Sequence, residues 1–261
     1  MKTTLAGPKQ RPMWARGNAF EDGGDIVLRR EDAEDYAFYE QDRLERLLLD
    51  LAGLRNMGSL ADPSQLDPGP ALAFARRHGL LWHGPEQLEE GDCRESLASW
   101  FFESEELAIS IALYMFVREC VGTGSTKPLR QYLQLQRDLR VFWGIMPEDS
   151  EELLKSMSII LAERVNNGMK GCQQTFLAAC GLMRDGVEVG PAGDFRYSVD
   201  PANLVAAAYH EFAALMVTKA RFKGCPGCGQ VFRAEHGNRT YCSEGCSDRT
   251  RKRRQRTKPP H

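Results

Sequence analysis

The sequence predicts a mainly α-helical protein with a small metal-binding unit at its C-terminus. Apolar residues recur at the helical period through most of residues 26–220. Two closely spaced cysteine pairs follow, separated by thirteen residues. Charge is divided in the same way: residues 221–261 contain eleven Lys or Arg and three Asp or Glu, a net charge of +8, while the whole chain carries −2. The remaining 220 residues therefore carry −10.

Length and composition are those of a globular chain with room for one domain and a small module. The chain has 261 residues, of which 42% are hydrophobic and 27% charged. No basic-then-apolar segment opens it, and its best apolar run, at 107–117, is about half the length needed to span a bilayer. We therefore expect a cytoplasmic protein without membrane contact. Cys93, Cys120, Cys172 and Cys180 lie in apolar, helical surroundings that favour buried free thiols over disulfides.

The body is expected to form six or seven helices around a single core. Asp149 and Glu152 resemble a capping box, and Asp200 before Pro201 is typical of a helix start. Residues 187–189 and 195–199 are the plausible strands of the body, and residues 25–28 form a short strand or an extended lead-in. Helices are predicted at 35–51, 71–78, 95–120, 128–143, 149–168, 172–183 and 201–219.

The C-terminal cysteines have the spacing of a structural zinc site. Pro226 and Gly227 between the first two cysteines permit the tight turn that directs two sulfurs at one ion. Four thiolates are the number that a structural zinc takes tetrahedrally, and such a closed site leaves no position for a catalytic water. His236 is an alternative ligand, although an exposed turn position suits it better. The predicted ligands of one Zn²⁺ are Cys225, Cys228, Cys242 and Cys246.

The residues around the cysteines predict a treble-clef-like finger, in which a knuckle, a hairpin and a helix follow one another. Residues 230–233 and 239–241 flank a turn and are expected to pair as two strands. Ser243 is expected to cap a helix that runs to Arg256. The predicted parts of the chain are a flexible N-terminus (1–25), a mainly helical domain (26–220), the finger (221–256) and a flexible tail (257–261).

The basic helix is the candidate nucleic-acid contact. Spacing of i, i+3, i+4 and i+7 places Arg249, Lys252, Arg253 and Arg256 on one face. A basic tail on an acidic body indicates nucleic acid reached through the tail alone. Arg233 and Arg239 in the hairpin are weaker candidates for the same surface. Two alternatives stay open at this point: a solubilising tail, and a tail that folds back on the acidic body.

The segment from Arg221 to Arg256 resembles the CGNR zinc finger, which ends bacterial proteins similar to ABATE-like stress-induced transcription regulators. The shared features are a Cys-Pro-x-Cys knuckle followed by Val231-Phe232, an Asn-Arg before Tyr241-Cys242-Ser243, and a basic helix. The signature itself is here Cys246-Ser247-Asp248-Arg249, which keeps its cysteine and arginine. Counting the preceding helix, the resemblance covers roughly the last 60 residues. It implies DNA binding and transcriptional control.

The leading hypothesis is a bacterial, zinc-stabilised DNA-binding regulator whose helical domain senses a ligand or binds a partner. A single small finger gives modest affinity, so a homodimer or a protein partner is expected. One alternative is a protein–protein interaction adaptor in which zinc only stabilises the C-terminus and the basic tail binds an acidic protein. Another is RNA binding, which sparse aromatic residues disfavour.

An enzymatic role is not expected, because no nucleophile–base pair or carboxylate dyad stands out. Residues 122–127 superficially resemble a phosphate loop but lack its Gly-Lys-Ser/Thr ending, which favours a loop between helices. His210 and Glu211 begin like a metalloprotease motif, yet position 214 is Ala instead of the second ligand. Both residues are expected on the solvent side of a helix.

Overall fold

A computed structural model gives the architecture, and it describes residues 13–38, 41–54, 65–83, 90–135, 148–170, 172–179, 194–235 and 237–256. These residues contain seven α-helices and four small sheets of two or three strands. The predicted mainly α class is therefore confirmed. The helices are α1 (Gln41–Gly53), α2 (Pro68–His78), α3 (Leu97–Thr123), α4 (Lys127–Leu135), α5 (Ser150–Gly168), α6 (Leu204–Val217) and α7 (Glu244–Arg256).

The sheets are antiparallel and short. The strands are β1 (Met13–Gly17), β2 (Phe20–Asp22), β3 (Asp25–Leu28), β4 (Ala33–Phe38), β5 (Cys93–Ser96), β6 (Cys172–Ala179), β7 (Asp194–Pro201), β8 (Phe222–Gly224) and β9 (Val231–Arg233). One sheet pairs β1 with β4, a second has the order β2-β3-β5, a third pairs β6 with β7, and the fourth pairs β8 with β9.

The N-terminal segment is more ordered than predicted. Residues 13–25, expected to be flexible, contain β1 and β2, while residues 1–12 lie outside the described residues. Trp14 is only 2% exposed and belongs to the hydrophobic core, where an aromatic side chain stabilises its whole strand. Gly23 and Gly24, both with positive φ, form the two-residue turn that joins β2 to β3. The strand expected at 25–28 is confirmed.

Several predicted helix ends differ from the structure because strands occupy the neighbouring residues. The first predicted helix began at 35, but residues 33–38 belong to β4 and α1 begins at Gln41. Residues 172–183 were predicted to be helical, which is wrong for 172–179: these form β6 and pair with β7 over eight residues. The backbone groups of β7 need hydrogen-bond partners, and β6 supplies them. The strand expected at 187–189 lies outside the described residues.

Helix caps formed by neighbouring side chains agree better with the sequence-based predictions than the helix ends that adjoin strands do. The Asp149 carboxylate accepts a hydrogen bond from the backbone N–H of Glu152 at 2.8 Å, as the capping prediction requires. The last body helix starts later than expected, because β7 extends to Pro201 and Asn203 caps α6 through the N–H of Ala206 at 2.8 Å. Gly124, in the left-handed conformation, ends α3, and residues 124–126 connect it to α4, so the connection between helices lies within the predicted stretch 122–127.

The hydrophobic core continues from the helical body into the predicted finger. Helix α3 packs against α1, α4 and α5, and α1 packs against α6. The ring of Phe222, at the start of β8, lies 6.0 Å from the ring of Tyr114 and 6.2 Å from that of Phe212. The Tyr114 hydroxyl also donates to the carbonyl of Ala220 at 3.0 Å. Residues 221–256 are called the C-terminal unit below, and the unit is thus anchored to the helical body at its first strand, β8.

A search of the helices in the described part of the chain finds none that combines the length and the apolar character needed to cross a membrane.

Candidate metal centre

The first cysteine pair lies in the turn between β8 and β9. The N–H of Cys225 donates to the carbonyl of Gln230 at 2.8 Å, and the N–H of Gly229 donates to the carbonyl of Cys225 at 2.7 Å. Gly229 has φ +75°, a conformation that favours glycine. These two bonds fold residues 225–230 into a knuckle that turns both sulfurs to the same side.

The hairpin of the unit is not the predicted one. Residues 231–233 form a strand as expected, but their partner is β8, before the knuckle, and residues 239–241 form no strand. Lys223 instead holds the segment that follows β9 in place, since its ammonium donates to the carbonyls of Gly237 at 2.6 Å and Arg239 at 3.0 Å. The knuckle brings β8 and β9 into register, which leaves the later segment without a strand partner.

The second cysteine pair is placed by the start of α7, and here the prediction is confirmed. The Ser243 hydroxyl accepts a hydrogen bond from the N–H of Cys246 at 3.3 Å, and its carbonyl accepts the first helical bond, from Ser247, at 3.2 Å. Gly227 of the knuckle faces this turn: a Cβ added there would lie 3.1 Å from the carbonyl oxygen of Cys246. Glycine therefore permits the close approach of the knuckle to the helix.

The four predicted ligands converge in one place. All four Sγ atoms lie within 4.8 Å of one another. The sulfurs of Cys228 and Cys242 are 3.6 Å apart, and those of Cys242 and Cys246 are 3.5 Å apart. A tetrahedral site with metal–sulfur bonds of about 2.3 Å has sulfur–sulfur edges of about 3.8 Å, whereas a disulfide requires about 2.05 Å. All four cysteines are free thiols, and together they can hold one metal ion.

Electrostatics at the cluster favour loss of a proton at one sulfur and oppose it at another. Burial raises the pKa of the Cys225 thiol, but hydrogen bonds from the backbone N–H groups of Cys242, Gly227 and Cys228 outweigh it and lower that pKa to about 6. Burial and then the neighbouring sulfurs raise the pKa of Cys242 to about 12. Several thiolates within such a small volume repel one another, so a bound cation is what allows all four to ionise.

Two of the proposed nucleic-acid residues are engaged within the protein. The Arg233 guanidinium forms an ion pair with Glu45 of α1 at 2.6 Å, and both side chains are partly buried. The Arg239 guanidinium donates to the carbonyls of Tyr241, at 3.2 Å, and Cys242, and its Cζ atom lies 5.4 Å from the centre of the Phe232 ring. These contacts give Arg233 a role in joining the unit to the body and Arg239 a role in shaping the second cysteine pair.

Three cations on one face of α7 are exposed to solvent. Arg249, Lys252 and Arg253 are all exposed, and Arg256 follows one turn later on the same face. Arg251, on the opposite side, forms an ion pair with Asp248 at 3.1 Å. His236, the alternative ligand, lies outside the described residues.

Sequence reasoning misplaced His210 and Glu211. Glu211 is only 8% exposed, and the Nδ1 atom of His210 is buried without a hydrogen-bond partner among the described residues. Both lie on α6, whose side toward Glu211 is covered by α1 and the C-terminal unit. Helical periodicity alone could not reveal this cover, since it comes partly from α1, which lies far away in the chain.

No protein family matches the chain, and neither the curated proteins nor the solved structures gave a significant match. The cysteine cluster is thus consistent with a zinc-finger-like unit, while the likeness to the CGNR type rests on the sequence motif alone.

Proposed function

We propose that the C-terminal unit holds one structural zinc ion through Cys225, Cys228, Cys242 and Cys246, and that it docks on DNA through the basic face of α7. The basic face comprises Arg249, Lys252, Arg253 and Arg256. The observation that supports this best is the exposure of Arg249 and Lys252 on a helix whose first turn carries Cys246.

The donor set supports zinc. Tetrahedral all-sulfur sites in proteins hold zinc or iron, and a closed site with two short cysteine spacings is typical of structural zinc. An ion at this position would join the knuckle to the first turn of α7. Metal binding and folding of the unit are then one process.

The charge distribution supports a polyanionic partner. A helix that is fixed at its base and exposes a row of cations can approach the phosphates of a duplex, and an α-helix fits the major groove. Because Arg233 and Arg239 are engaged elsewhere, the contact is restricted to the basic face of α7. With about four phosphate contacts, the logarithm of affinity should fall with the logarithm of salt concentration at a slope of about −3 to −4.

A regulatory role is suggested by the family resemblance together with the size of the unit. One small finger buries little surface on DNA, so selective binding calls for a homodimer or for a protein partner that is already bound nearby. In this proposal the protein is cytoplasmic, and the helical body supplies the second contact.

The test is fluorescence anisotropy of a labelled DNA duplex with the full chain at fixed zinc. Arg249→Ala should weaken binding about fivefold and make the salt slope shallower by about 0.9, as loss of one phosphate contact requires. Arg251→Ala removes the same charge from the opposite side of α7 and is the matched control, with less than a twofold effect expected.

Equal losses in the two variants would show that only net charge matters and would remove α7 as the contact. RNA of the same length and single-stranded DNA serve as competitors. Tighter binding of RNA would reassign the partner. An acidic protein that co-purifies after nuclease treatment, together with no binding to any nucleic acid, would favour the adaptor alternative.

A further inference from the structure

A cleft of about 790 Å³ lies between the helical body and the C-terminal unit. Helices α1 and α6 form one side, and β9 with the segment that leads to Cys242 forms the other. Clefts of this volume, at the boundary between two parts of a protein, commonly hold small molecules. The cleft is separate from the basic face of α7, so a ligand can occupy it whether or not the protein binds nucleic acid.

The walls of the cleft combine an apolar surface with ionisable groups. Leu49 and Leu215 contribute from the helices, and Val231 and Phe232 contribute from β9. Such a surface suits the hydrocarbon part of a ligand, because its burial removes apolar area from water.

The cations that line the cleft leave little free positive charge inside it. Arg233 is paired with Glu45 at 2.6 Å, and Arg239 donates to two backbone carbonyls. Arg46 is exposed at the rim. Asp50 is also engaged, since its carboxylate lies 2.9 Å from the Arg77 guanidinium and 2.8 Å from Nε2 of His78.

Two carboxyls that line the cleft have no partner among the described residues: Glu235 is exposed, and Glu211 is buried. Glu211 is only 8% exposed and lines the cleft, and within the described part of the chain no group forms a hydrogen bond with its carboxyl. Burial, followed by the charge of Glu45, raises its pKa to about 7, and Arg233 only partly opposes this. A carboxylate in a largely buried residue, with no partner of opposite charge, is costly, and a cationic ligand in the cleft would offset that cost.

We propose that this cleft binds a small organic cation, an amine or amidine on an apolar body, whose charged group pairs with Glu211. The apolar part then lies against Leu49, Leu215 and Phe232. A divalent metal fits less well, because such ions need several free oxygen ligands and the cleft offers one unengaged, buried carboxyl. Since both the body and the C-terminal unit line the cleft, the ligand would also hold the two together.

The experiment is isothermal titration calorimetry of the full zinc-loaded chain at pH 8 and fixed ionic strength. The probe is 2-phenylethylamine, and its matched neutral analogue is 2-phenylethanol. We expect the amine to bind about tenfold more tightly than the alcohol, as a charge-assisted pair in a poorly hydrated site allows. Glu211→Gln should reduce amine affinity to that of the alcohol, and Glu163→Gln, an exposed change on α5, should leave it unaltered.

Glu211→Gln removes a buried charge and is expected to fold, which thermal unfolding and zinc content will check. Equal affinity for amine and alcohol would overturn the proposal, as would amine binding that survives Glu211→Gln or that magnesium chloride abolishes at constant ionic strength. The pH gives a second readout, because the groups facing Glu211 are Glu45 on α1 and Arg233 on β9, which pair with each other. Amine affinity should rise about tenfold between pH 6 and pH 8 as Glu211 ionises, and Glu211→Gln should remove this rise.

Discussion

The two sides of the C-terminal unit use the same residue types for different purposes. On the side facing the body, Arg233 pairs with Glu45, and Arg239 holds the backbone of the second cysteine pair. On the solvent side, Arg249 and Lys252 are exposed and form no ion pair with any residue that the structure describes. These four cations are equivalent by charge and differ in what surrounds them. The charge of a basic segment therefore indicates a binding partner only when the cations that are engaged within the protein are left out of the count.

Removal of the metal should have the greatest consequence, because both sides depend on it. Zinc binding to structural sites is worth roughly 10 kcal/mol or more, far above the stability of an isolated 13-residue helix. Chelation of zinc, or Cys246→Ser, should unfold α7 and abolish DNA binding while the helical body stays folded. Circular dichroism and heteronuclear NMR will separate the two parts. Cys172→Ala, a thiol outside the cluster, is the control and should leave α7 intact.

The buried carboxyl on the side facing the body predicts a pH effect on stability. The pKa of Glu211 is raised from 4.5 to about 7, so between these values the unfolded chain has released a proton that the folded chain keeps. The free energy of unfolding therefore falls as pH rises from 4.5 to 7 and stays lower above that range. The free energy of unfolding of Glu211→Gln should exceed that of the parent by about 3 kcal/mol at pH 8 and match it near pH 4.

Urea unfolding across this pH range measures the difference between parent and variant. Burial and then Glu106 also raise the pKa of Glu103 in α3 to about 7, but this group is unchanged in the comparison and cancels. A pH-independent difference between parent and Glu211→Gln would show that the carboxyl is hydrated in the folded state.

Gly227 offers a way to disturb the metal site without touching a ligand. A Cβ at this position would lie 3.1 Å from both the carbonyl oxygen of Cys246 and the hydroxyl of Thr250, closer than ordinary contact. Gly227→Ala should therefore destabilise the metal-bound unit by about 1–2 kcal/mol, which weakens zinc affinity by about 5- to 30-fold. Gly224→Ala, which meets nothing within 4 Å, is the matched control. Competition with a chromophoric chelator measures both variants.

Two single arginine substitutions should change stability least. Together they compare one arginine on the side of the C-terminal unit that faces the body with one on the side that faces solvent. Arg233→Ala leaves the partly buried Glu45 without its partner and should destabilise the protein by about 1 kcal/mol. Arg249→Ala should change the free energy of unfolding by less than about 0.5 kcal/mol while weakening DNA binding. Urea unfolding and anisotropy measure both variants. The reverse pattern, in which Arg249 matters for stability and Arg233 for DNA, would exchange the roles assigned to the two sides.

The sequence predicted well those features of the fold that depend on neighbouring residues. The caps by Asp149 and Ser243 and the helix break within residues 122–127 depend on residues close in the chain, and all three are present. The strands β1, β2, β4, β5, β6 and β8 were missed, because a strand is stabilised by partners that lie elsewhere in the sequence. In β6 the partner is β7, which begins fifteen residues after β6 ends.

In the candidate site, too, features with a local sequence signal were predicted and features that depend on distant residues were not. Spacing alone identified the four cysteines, since two short intervals around one ion leave few other arrangements. Pairing of Arg233 with Glu45, 188 positions away, and burial of Glu211 under the C-terminal unit had no local signal. Both result from the packing of the unit against α1 and α6, which charge counting cannot detect.

Both sides of the C-terminal unit require that a single ion organises it. Elemental analysis of the purified, untagged chain is the decisive experiment, alongside Cys246→Ser prepared in the same way. We expect one zinc per chain in the parent and a substoichiometric amount in the variant. A parent protein that contains no metal, yet keeps the same circular dichroism after chelator treatment, would rule out this role for the ion.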